Sequence, residues 1–311
     1  MNLMETTNHT TQPTNKKDGG KLQNLVVRAL TGIAFVAVMV CGILHSPATF
    51  GLLFTVITCL SVWEFTGIVN QRADVNVNRF ITTVAGGCLF VGFFGYAAGI
   101  AGGGVLFVPW LLSMIYMIVS ELYLQRESPL NDWAYSMMAQ IYVALPFSLL
   151  CLLDFSGIGV AGSPLLNLSS QSDATIPGAW LVLAIYVLLW LNDTGAYCVG
   201  SLLGRHKLFP RVSPGKSWEG SIGGAVVCLA VALVAARYLP ALTMLQWAGF
   251  ALIVVVFGTW GDLVESLLKR QMGIKDSGHI LPGHGGMLDR FDSSLLAIPA
   301  VVVYLFTLTT L

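Results

Sequence analysis

The chain has 311 residues, of which 55% are apolar and only 10% are charged, and its mean hydropathy is +0.75. These values exclude an ordinary soluble domain and place the chain in a lipid bilayer. Sixteen basic and sixteen acidic residues give a net charge of zero, so the charge balance indicates neither nucleic-acid binding nor an acidic partner.

The N-terminal segment 1–24 is polar, rich in Asn and Thr, and has no apolar core, so we expect a disordered cytoplasmic tail. Nine apolar stretches follow, each long enough to cross about 30 Å of hydrocarbon as a helix. They cover residues 25–45, 48–69, 80–100, 103–121, 134–153, 177–199, 218–240, 244–267 and 292–311.

The stretches predict an all-α polytopic membrane protein with about nine transmembrane helices. About five helices form an N-terminal half at 25–153, an extracytoplasmic loop follows at 154–176, and about four helices form a catalytic half at 177–311. The boundary at Gly102–Gly104 is poorly marked, and Pro146 predicts a kink in the fifth span, so eight or ten spans stay open.

The basic residues give an independent test of orientation, because retained cytoplasmic loops collect Lys and Arg. With nine spans, every Lys and Arg except Arg237 falls on the side of the N-terminus or at its boundary. A miscounted span in the middle of the chain would scatter the later charges onto both sides. We therefore expect the N-terminus and the long polar loops to be cytoplasmic and the C-terminus to lie on the outer side.

The connection after the sixth span reads GSLLGRHKLFPRVSPGKSWEGSIGG. Arg205, Arg211 and Lys216 stand there among glycines and prolines, a pattern that offers cations and exposed backbone N–H groups to phosphate. A simple cluster of positive charge that sets topology is the alternative, and this segment alone leaves both open.

Several acids lie within the apolar stretches, near the predicted cytoplasmic ends of the sixth and eighth spans. Asp193 lies near the end of the sixth span, and Asp262, Glu265 and Ser266 share one helical face of the eighth. Hydrogen bonding between helices, or pairing with Lys and Arg, can explain any one of them, and it explains Glu64 in the second span at least as well as a role in a cleft. The group as a whole favours a hard divalent ion such as Mg²⁺, whose site Asp289 and Asp292 could complete.

The densest polar segment is SLLKRQMGIKDSGHILPGHGGMLDRFDS at 266–293, between two very apolar stretches. Charge near a membrane is expensive and is kept where it acts, so this segment predicts a catalytic site. His279 and His284 are spaced i, i+5, which does not suit zinc ligands on one helix, and we expect them to contact phosphate or shape the loop.

The spacing of this segment is S-x-x-K-R-x4-K-D-x-G-x3-P-x-H-G-G-x-x-D-R-x-D, which resembles the phosphatidate cytidylyltransferases (CDP-diacylglycerol synthases). The residues that carry it are Ser266, Lys269, Arg270, Lys275, Asp276, Gly278, Pro282, His284, Gly285, Gly286, Asp289, Arg290 and Asp292. The upstream segments NDTGAY and R-x-S-P-x-K-S-x-E-G are similar to that family too. The resemblance implies transfer of CMP from CTP to phosphatidate with release of pyrophosphate, by a Mg²⁺-dependent homodimer, with a possible second cation, in a bacterial-type inner membrane.

The same resemblance implies roles for individual residues. Asp262 and Asp289 would be the principal metal carboxylates, and Asp193, Glu265 and Asp292 further ligands or supports. The predicted catalytic set is Lys216, Lys269, Arg270, Lys275, Asp276, His284 and Arg290, in which the cations neutralise phosphates. The predicted substrate-binding set is Arg205, Arg211, Ser213, Ser217, Ser266, Gly285 and Gly286.

Three other functions would make different demands on the sequence. A CTP-dependent lipid kinase would use similar loops and a metal but would transfer the γ-phosphate. A secondary transporter would show inverted repeats and charges at the bilayer midplane, whereas these acids gather toward one surface. A CDP-alcohol phosphotransferase would need paired D-G-x-x-A-R and G-x3-D-x3-D elements, which the sequence lacks.

Overall fold

The computed structural model describes residues 17–100, 102–154, 178–278, 280 and 285–310. In these residues the chain is almost entirely helical, with one short β-hairpin. The helices are α1 (Lys17–Leu44), α2 (Pro47–Val69), α3 (Arg79–Ala97), α4 (Val108–Leu124), α5 (Pro129–Met138), α6 (Leu145–Asp154), α7 (Ala179–Leu203), α8 (Trp218–Tyr238), α9 (Met244–Gln271) and α10 (Leu288–Thr310), and the strands are β1 (Lys207–Phe209) and β2 (Ser213–Ser217).

Eight helical segments in the described residues are long and apolar enough to cross a membrane, and the apolar part of α1, Ala29–Leu44, is a shorter ninth. This confirms the predicted all-α polytopic architecture. The predicted outer loop after Asp154 and the first sixteen residues of the predicted tail lie outside the described residues.

Three helix starts differ from the sequence prediction. Helix α1 begins at Lys17 rather than at residue 25, α5 at Pro129 rather than 134, and α10 at Leu288 rather than 292. A helix satisfies its own backbone hydrogen bonds and so need not end where the apolar run ends. An acid in the first turn also favours a helix N-terminus, and Asp289 occupies that position in α10.

The fifth span runs from Pro129 to Leu153 and contains a π-helical turn at Ala139–Ala144. The turn stands directly before Pro146, where the sequence predicted a kink. Because proline lacks an N–H and its ring crowds the carbonyl four residues earlier, the regular hydrogen-bond ladder cannot continue through this point. The wider turn accommodates the proline and keeps the segment a single span.

Aromatic side chains from both halves of the chain pack into one core. Phe54 of α2 stacks on Tyr186 of α7 at 5.9 Å between ring centroids. Phe147 of α6 meets Phe291 of α10 edge to face at 5.5 Å, and Phe291 also meets Tyr186 at 5.9 Å. All four rings are buried. The N-terminal helices therefore pack directly against the start of α10, where the polar segment ends.

Helices α7 and α8 cross through small residues. A Cβ at Gly195 would lie 3.0 Å from Gly224 Cα, and a Cβ at Gly224 would lie 2.6 Å from Asn192 Oδ1. Without a hydrophobic driving force between helices in lipid, such close backbone approach supplies the packing energy. It also holds the end of α7 that carries Asn192 and Asp193.

Gly224→Ala should separate α7 from α8, because the added methyl has no room at the crossing. We expect a loss of about 1–3 kcal/mol of stability, the usual cost of overpacking, measured as a lower thermal unfolding midpoint in detergent. Gly104→Ala is the matched control, since nothing lies within 4 Å of a Cβ there. Equal midpoints for the two variants would contradict the tight crossing.

Candidate active site

The polar ends of several helices meet at one end of the bundle. The hairpin that follows α7 reaches α9 through an ion pair between Lys216 and Asp262. The end of α9 reaches α10 through Lys269 and Asp289, and α2 reaches the start of α10 through Glu64 and Leu288. The predicted loops therefore share one end, as the charge distribution required.

The hairpin is fixed to the first turn of α8. Glu219 accepts hydrogen bonds from the backbone N–H groups of Arg205 and His206, and its carboxylate meets His206 Nδ1 at 2.6 Å. Trp218 N–H donates to the His206 carbonyl oxygen, and the Ser217 hydroxyl caps α8 by accepting from Gly220 N–H. These contacts hold β2, and with it Lys216, beside the ends of α7 and α9.

Two cavities lined by described residues open at this end. Cavity A has a volume of about 450 Å³ and lies between α7, α8, α9 and β2. Its walls are mostly small or polar: Asn192, Asp193, Ala196, Tyr197, Gly200, Ser201, Gly215, Lys216, Ser217, Gly220, Ser221, Thr259 and Asp262.

Cavity B has a volume of about 270 Å³ and lies between α1, α7, α9 and α10. It combines an apolar wall with charged groups: Thr31, Gly32, Phe35, Val36, Trp190, Asp193, Asp262, Asp289, Arg290 and Asp292. Asp193 and Asp262 line both cavities. Two chambers of different chemical character therefore meet at a pair of carboxylates.

Asp262 stands at this junction in contact with a cation. Lys216 Nζ forms an ion pair with its Oδ2, and the Ser266 hydroxyl donates to its Oδ1 at 3.1 Å. Both partners were predicted to act on substrate phosphate, and in the structure both bind the Asp262 carboxylate. A phosphate that enters cavity A would meet Lys216 and Asp262 together.

A second cation sits between two acids. Lys269 Nζ lies 3.1 Å from Glu265 Oε2 and 2.8 Å from Asp289 Oδ1. The Glu265 side chain is 0% exposed, so its charge depends on Lys269 for compensation. The contact joins the last turns of α9 to the first turn of α10.

The other oxygen of Asp289 is held by backbone groups. Its Oδ2 accepts hydrogen bonds from Ser277 N–H at 2.9 Å and Gly286 N–H at 3.0 Å. Gly285 has φ +81°, a conformation that favours glycine, and this turn directs the following amide toward Asp289. The Gly286 N–H, which the sequence assigned to substrate phosphate, binds Asp289 instead.

The aspartates around cavity B fit a hard cation, provided that phosphate or water supplies part of its coordination. Asp193, Asp262, Asp289 and Asp292 supply the oxygen ligands that Mg²⁺ prefers, and all four face cavity B. In the part of the chain that the structure describes, no three His, Cys, Asp or Glu side chains lie close enough together to hold an ion by themselves. The arrangement therefore suits Mg²⁺ bound by one or two carboxylates plus phosphate and water. It does not suit a cage made of protein ligands alone.

The remaining predicted residues are spread more widely. Arg290 and Ser217 line cavities B and A, and Ser213 begins β2. Arg205, Arg211, Lys275 and Asp276 are exposed and do not line either cavity, while the Arg270 Nε donates to the Val212 carbonyl oxygen at 3.5 Å. His284, Pro282 and His279 lie outside the described residues.

Two groups of lining residues escaped sequence reasoning. Thr31, Gly32 and Phe35 of α1 form a wall of cavity B, and Tyr197 lines cavity A. An apolar stretch gives no sign that one of its faces borders a cavity. Tyr197 does have a signal, because it lies in the NDTGAY segment next to Asp193.

Lys269→Met should strongly destabilise the protein, because it leaves Glu265 buried without a cation. We expect a loss of roughly 3–5 kcal/mol, as for other broken buried pairs, seen as a lower unfolding midpoint. The matched control is Arg270→Met, which removes an exposed neighbouring cation and should change the midpoint little. If both variants unfold at the same temperature, Lys269 does not compensate the charge of Glu265.

Comparison with known proteins places this chain in a family. The model of the cytidylyltransferase family matches residues 26–308. A protein of Haemophilus influenzae named phosphatidate cytidylyltransferase is 32% identical over 297 residues, which cover 90% of this chain and 98% of that protein. Proteins of the same name from Staphylococcus saprophyticus and Staphylococcus aureus are 34% and 36% identical over 64% of this chain and 80% and 79% of their own lengths. The chain belongs to the cytidylyltransferase family.

Proposed function

We propose that this protein is a phosphatidate cytidylyltransferase, an enzyme of phospholipid biosynthesis. It transfers CMP from CTP to phosphatidate and yields CDP-diacylglycerol and pyrophosphate. The observation that carries the proposal is the meeting of cavities A and B at Asp193 and Asp262. A reaction between a water-soluble nucleotide and a lipid needs two chambers of this kind with one common boundary.

CTP fits cavity A better than cavity B. Cavity A has the larger volume, a wall of glycines and serines that allows close approach of phosphate oxygens, and Lys216 at its edge. Tyr197 supplies an aromatic face for the cytosine ring. The triphosphate would then extend toward Asp262, where Lys216 neutralises part of its charge.

Phosphatidate fits cavity B. Phe35, Val36 and Trp190 form an apolar wall, and Arg290 supplies a cation for the lipid phosphate. Val36 is also exposed on the outer face of α1, so the wall continues into surface that faces lipid. A lipid could therefore keep its acyl chains in the bilayer while its phosphate reaches Asp193 and Asp262.

The reaction consists of positioning and charge neutralisation. A phosphate oxygen of phosphatidate attacks the α-phosphorus of CTP, a new P–O bond forms, and the bond to the bridging oxygen of the leaving pyrophosphate breaks with its electron pair. Lys216 and Arg290 lie on opposite sides of the junction and reduce the repulsion between the two anions. No covalent enzyme intermediate is required.

Mg²⁺ is part of the proposal, with Asp262 and Asp289 as its ligands, phosphate and water completing its coordination, and Asp193 and Asp292 beside it as supporting negative charges. When bound it would supply positive charge to phosphate oxygens that gain negative charge in the transition state. Lys216 and Lys269 would release these carboxylates as substrate and metal enter, and would then bind phosphate themselves. A second cation, a homodimer, and an inner-membrane location with cytoplasmic polar loops belong to the same proposal.

Substitutions in the two cavities should separate the two substrates kinetically. Tyr197→Ala should raise KM for CTP by about tenfold, the order expected for loss of stacking on one base, with KM for phosphatidate nearly unchanged. Gly32→Leu narrows cavity B and should raise KM for phosphatidate alone. Kinetics of each variant in mixed micelles give both constants. The opposite pattern would reverse the assignment of the cavities.

The activity itself is tested with the purified protein, labelled CTP and phosphatidate in detergent, with and without Mg²⁺. We expect CDP-diacylglycerol and pyrophosphate in equal amounts, formed only with Mg²⁺. CDP with a newly phosphorylated lipid would identify a kinase instead. A folded sample with neither product would reject nucleotide chemistry and favour transport.

Asp289→Asn assigns the activity to this site. The amide oxygen can still accept the Ser277 and Gly286 N–H groups, so we expect the variant to fold, while loss of the charge should abolish turnover. Asp74→Asn is the matched control: the Arg72 guanidinium holds the pKa of Asp74 below its usual range, so this variant also removes an ionised carboxylate, in the α2–α3 loop. Near-normal turnover by Asp289→Asn would remove Asp289 from the metal site.

A further inference from the structure

We propose that Glu64 of α2 is a positioning residue for the transfer reaction. It binds Ser277, within the connection between α9 and α10, and Leu288 at the start of α10, and through the Ser277 hydroxyl it sets the orientation of Asp289. The inference rests on the proposed function. It assigns a part of the active site to the N-terminal half of the chain, where the sequence left Glu64 between a role in the cleft and a simple interhelical bond.

Glu64 binds two residues that are eleven positions apart in the sequence, Ser277 and Leu288. Its Oε2 accepts hydrogen bonds from Leu288 N–H at 2.8 Å and from the Ser277 hydroxyl at 3.2 Å. Leu288 is the first residue of α10, and its N–H belongs to the first turn, which has no partner within the helix. One carboxylate oxygen therefore binds a residue within the connection and the first residue of α10 to α2.

Ser277 passes this constraint to Asp289. Its hydroxyl donates to Glu64 and accepts from Asp289 N–H at 3.3 Å, while its own N–H donates to Asp289 Oδ2 at 2.9 Å. Asp289 in turn binds Lys269. A continuous set of hydrogen bonds thus runs from the second helix to the carboxylate that lines cavity B.

The backbone of the connection is shaped to reach Glu64. A Cβ at Gly278 would lie 2.5 Å from Glu64 Oε1, and a Cβ at Gly286 would lie 2.6 Å from Oε2. With no Cβ, both glycines leave the space that the Glu64 carboxylate occupies. The glycine at 286, which the sequence associated with phosphate, has a structural reason in Glu64 and Ser277.

Burying an acid at position 64 has a substantial free-energy cost, which favours a specific role for its contacts. The residue is only 6% exposed in an otherwise apolar helix, where an acid is retained only against a substantial cost. Its oxygen lies at the N-terminus of α10, whose dipole stabilises negative charge. Among the described residues, the two hydrogen bonds to Oε2 come from neutral donors, so an amide oxygen could accept them equally well.

Because an amide can accept the same hydrogen bonds, two substitutions at Glu64 separate its role as an acceptor from its charge. Glu64→Ala removes both bonds, and we expect kcat to fall by about 10- to 100-fold, the usual effect of losing a group that orients a metal ligand. Glu64→Gln keeps an acceptor for both donors and should retain kcat within about threefold. If Glu64→Gln were as inactive as Glu64→Ala, Glu64 would act through its charge or proton, and the positioning role would be wrong.

Glu121 provides the matched control for loss of a buried acid. It is 8% exposed on α4 and pairs with Arg126, away from both cavities. We expect Glu121→Ala to lower the unfolding midpoint but to leave kcat per folded molecule unchanged. An equal fall of kcat in Glu64→Ala and Glu121→Ala would show only a general cost of deleting a buried carboxylate.

A second measurement does not depend on the proposed activity. Hydrogen exchange at the Leu288 amide, read at single-residue resolution in detergent or nanodiscs, should be faster in Glu64→Ala and near wild type in Glu64→Gln. Unchanged exchange in Glu64→Ala would overturn the inference even if the enzyme is active. Faster exchange in a protein whose wild type makes no CDP-diacylglycerol would uphold the anchoring and reject the proposed function instead.

Discussion

The compensation of buried carboxylates by two lysines is the interaction on which the polar end of this protein depends. Glu265 has no exposed side-chain surface, and Lys269 meets both it and Asp289. Separating these charges in a medium of low dielectric constant would cost far more than it does in water. The pairing therefore fixes the end of α9 to the start of α10, and Lys216 fixes the hairpin to Asp262 in the same way.

The pairing of lysines with carboxylates also bears on the proposed catalysis. Under the proposed function, Asp262 and Asp289 would exchange their lysine partners for a metal and phosphates, while the hydroxyl and backbone N–H groups that also bind them stay in place. In that proposal each lysine released from a carboxylate would meet an anionic phosphate. The arrangement is suited to a reaction between two anions, where neutralisation is the main difficulty.

Both halves of the chain build the site. The aromatic core between α2, α6, α7 and α10 brings Glu64 to the first residue of α10 and brings the π-helical turn of the fifth span close to the same region. Helix α1 contributes Phe35, whose ring meets Phe291 at 5.8 Å while its residue lines cavity B. Two helices of the predicted N-terminal half therefore reach this region, α1 as a wall of cavity B and α2 at the start of α10.

Amino-acid sequence by itself determined the membrane class, the positions of the apolar helices and the family resemblance, because apolar length and fixed motif spacing are local properties of the chain. It left helix starts such as Lys17 and Leu288 undefined, since a helix can extend beyond its apolar run. The tertiary structure alone decided that Lys216 meets Asp262, that Gly286 faces Glu64, and that α1 closes cavity B. These contacts join residues far apart in sequence, and they follow from how the helices pack, which no local pattern encodes.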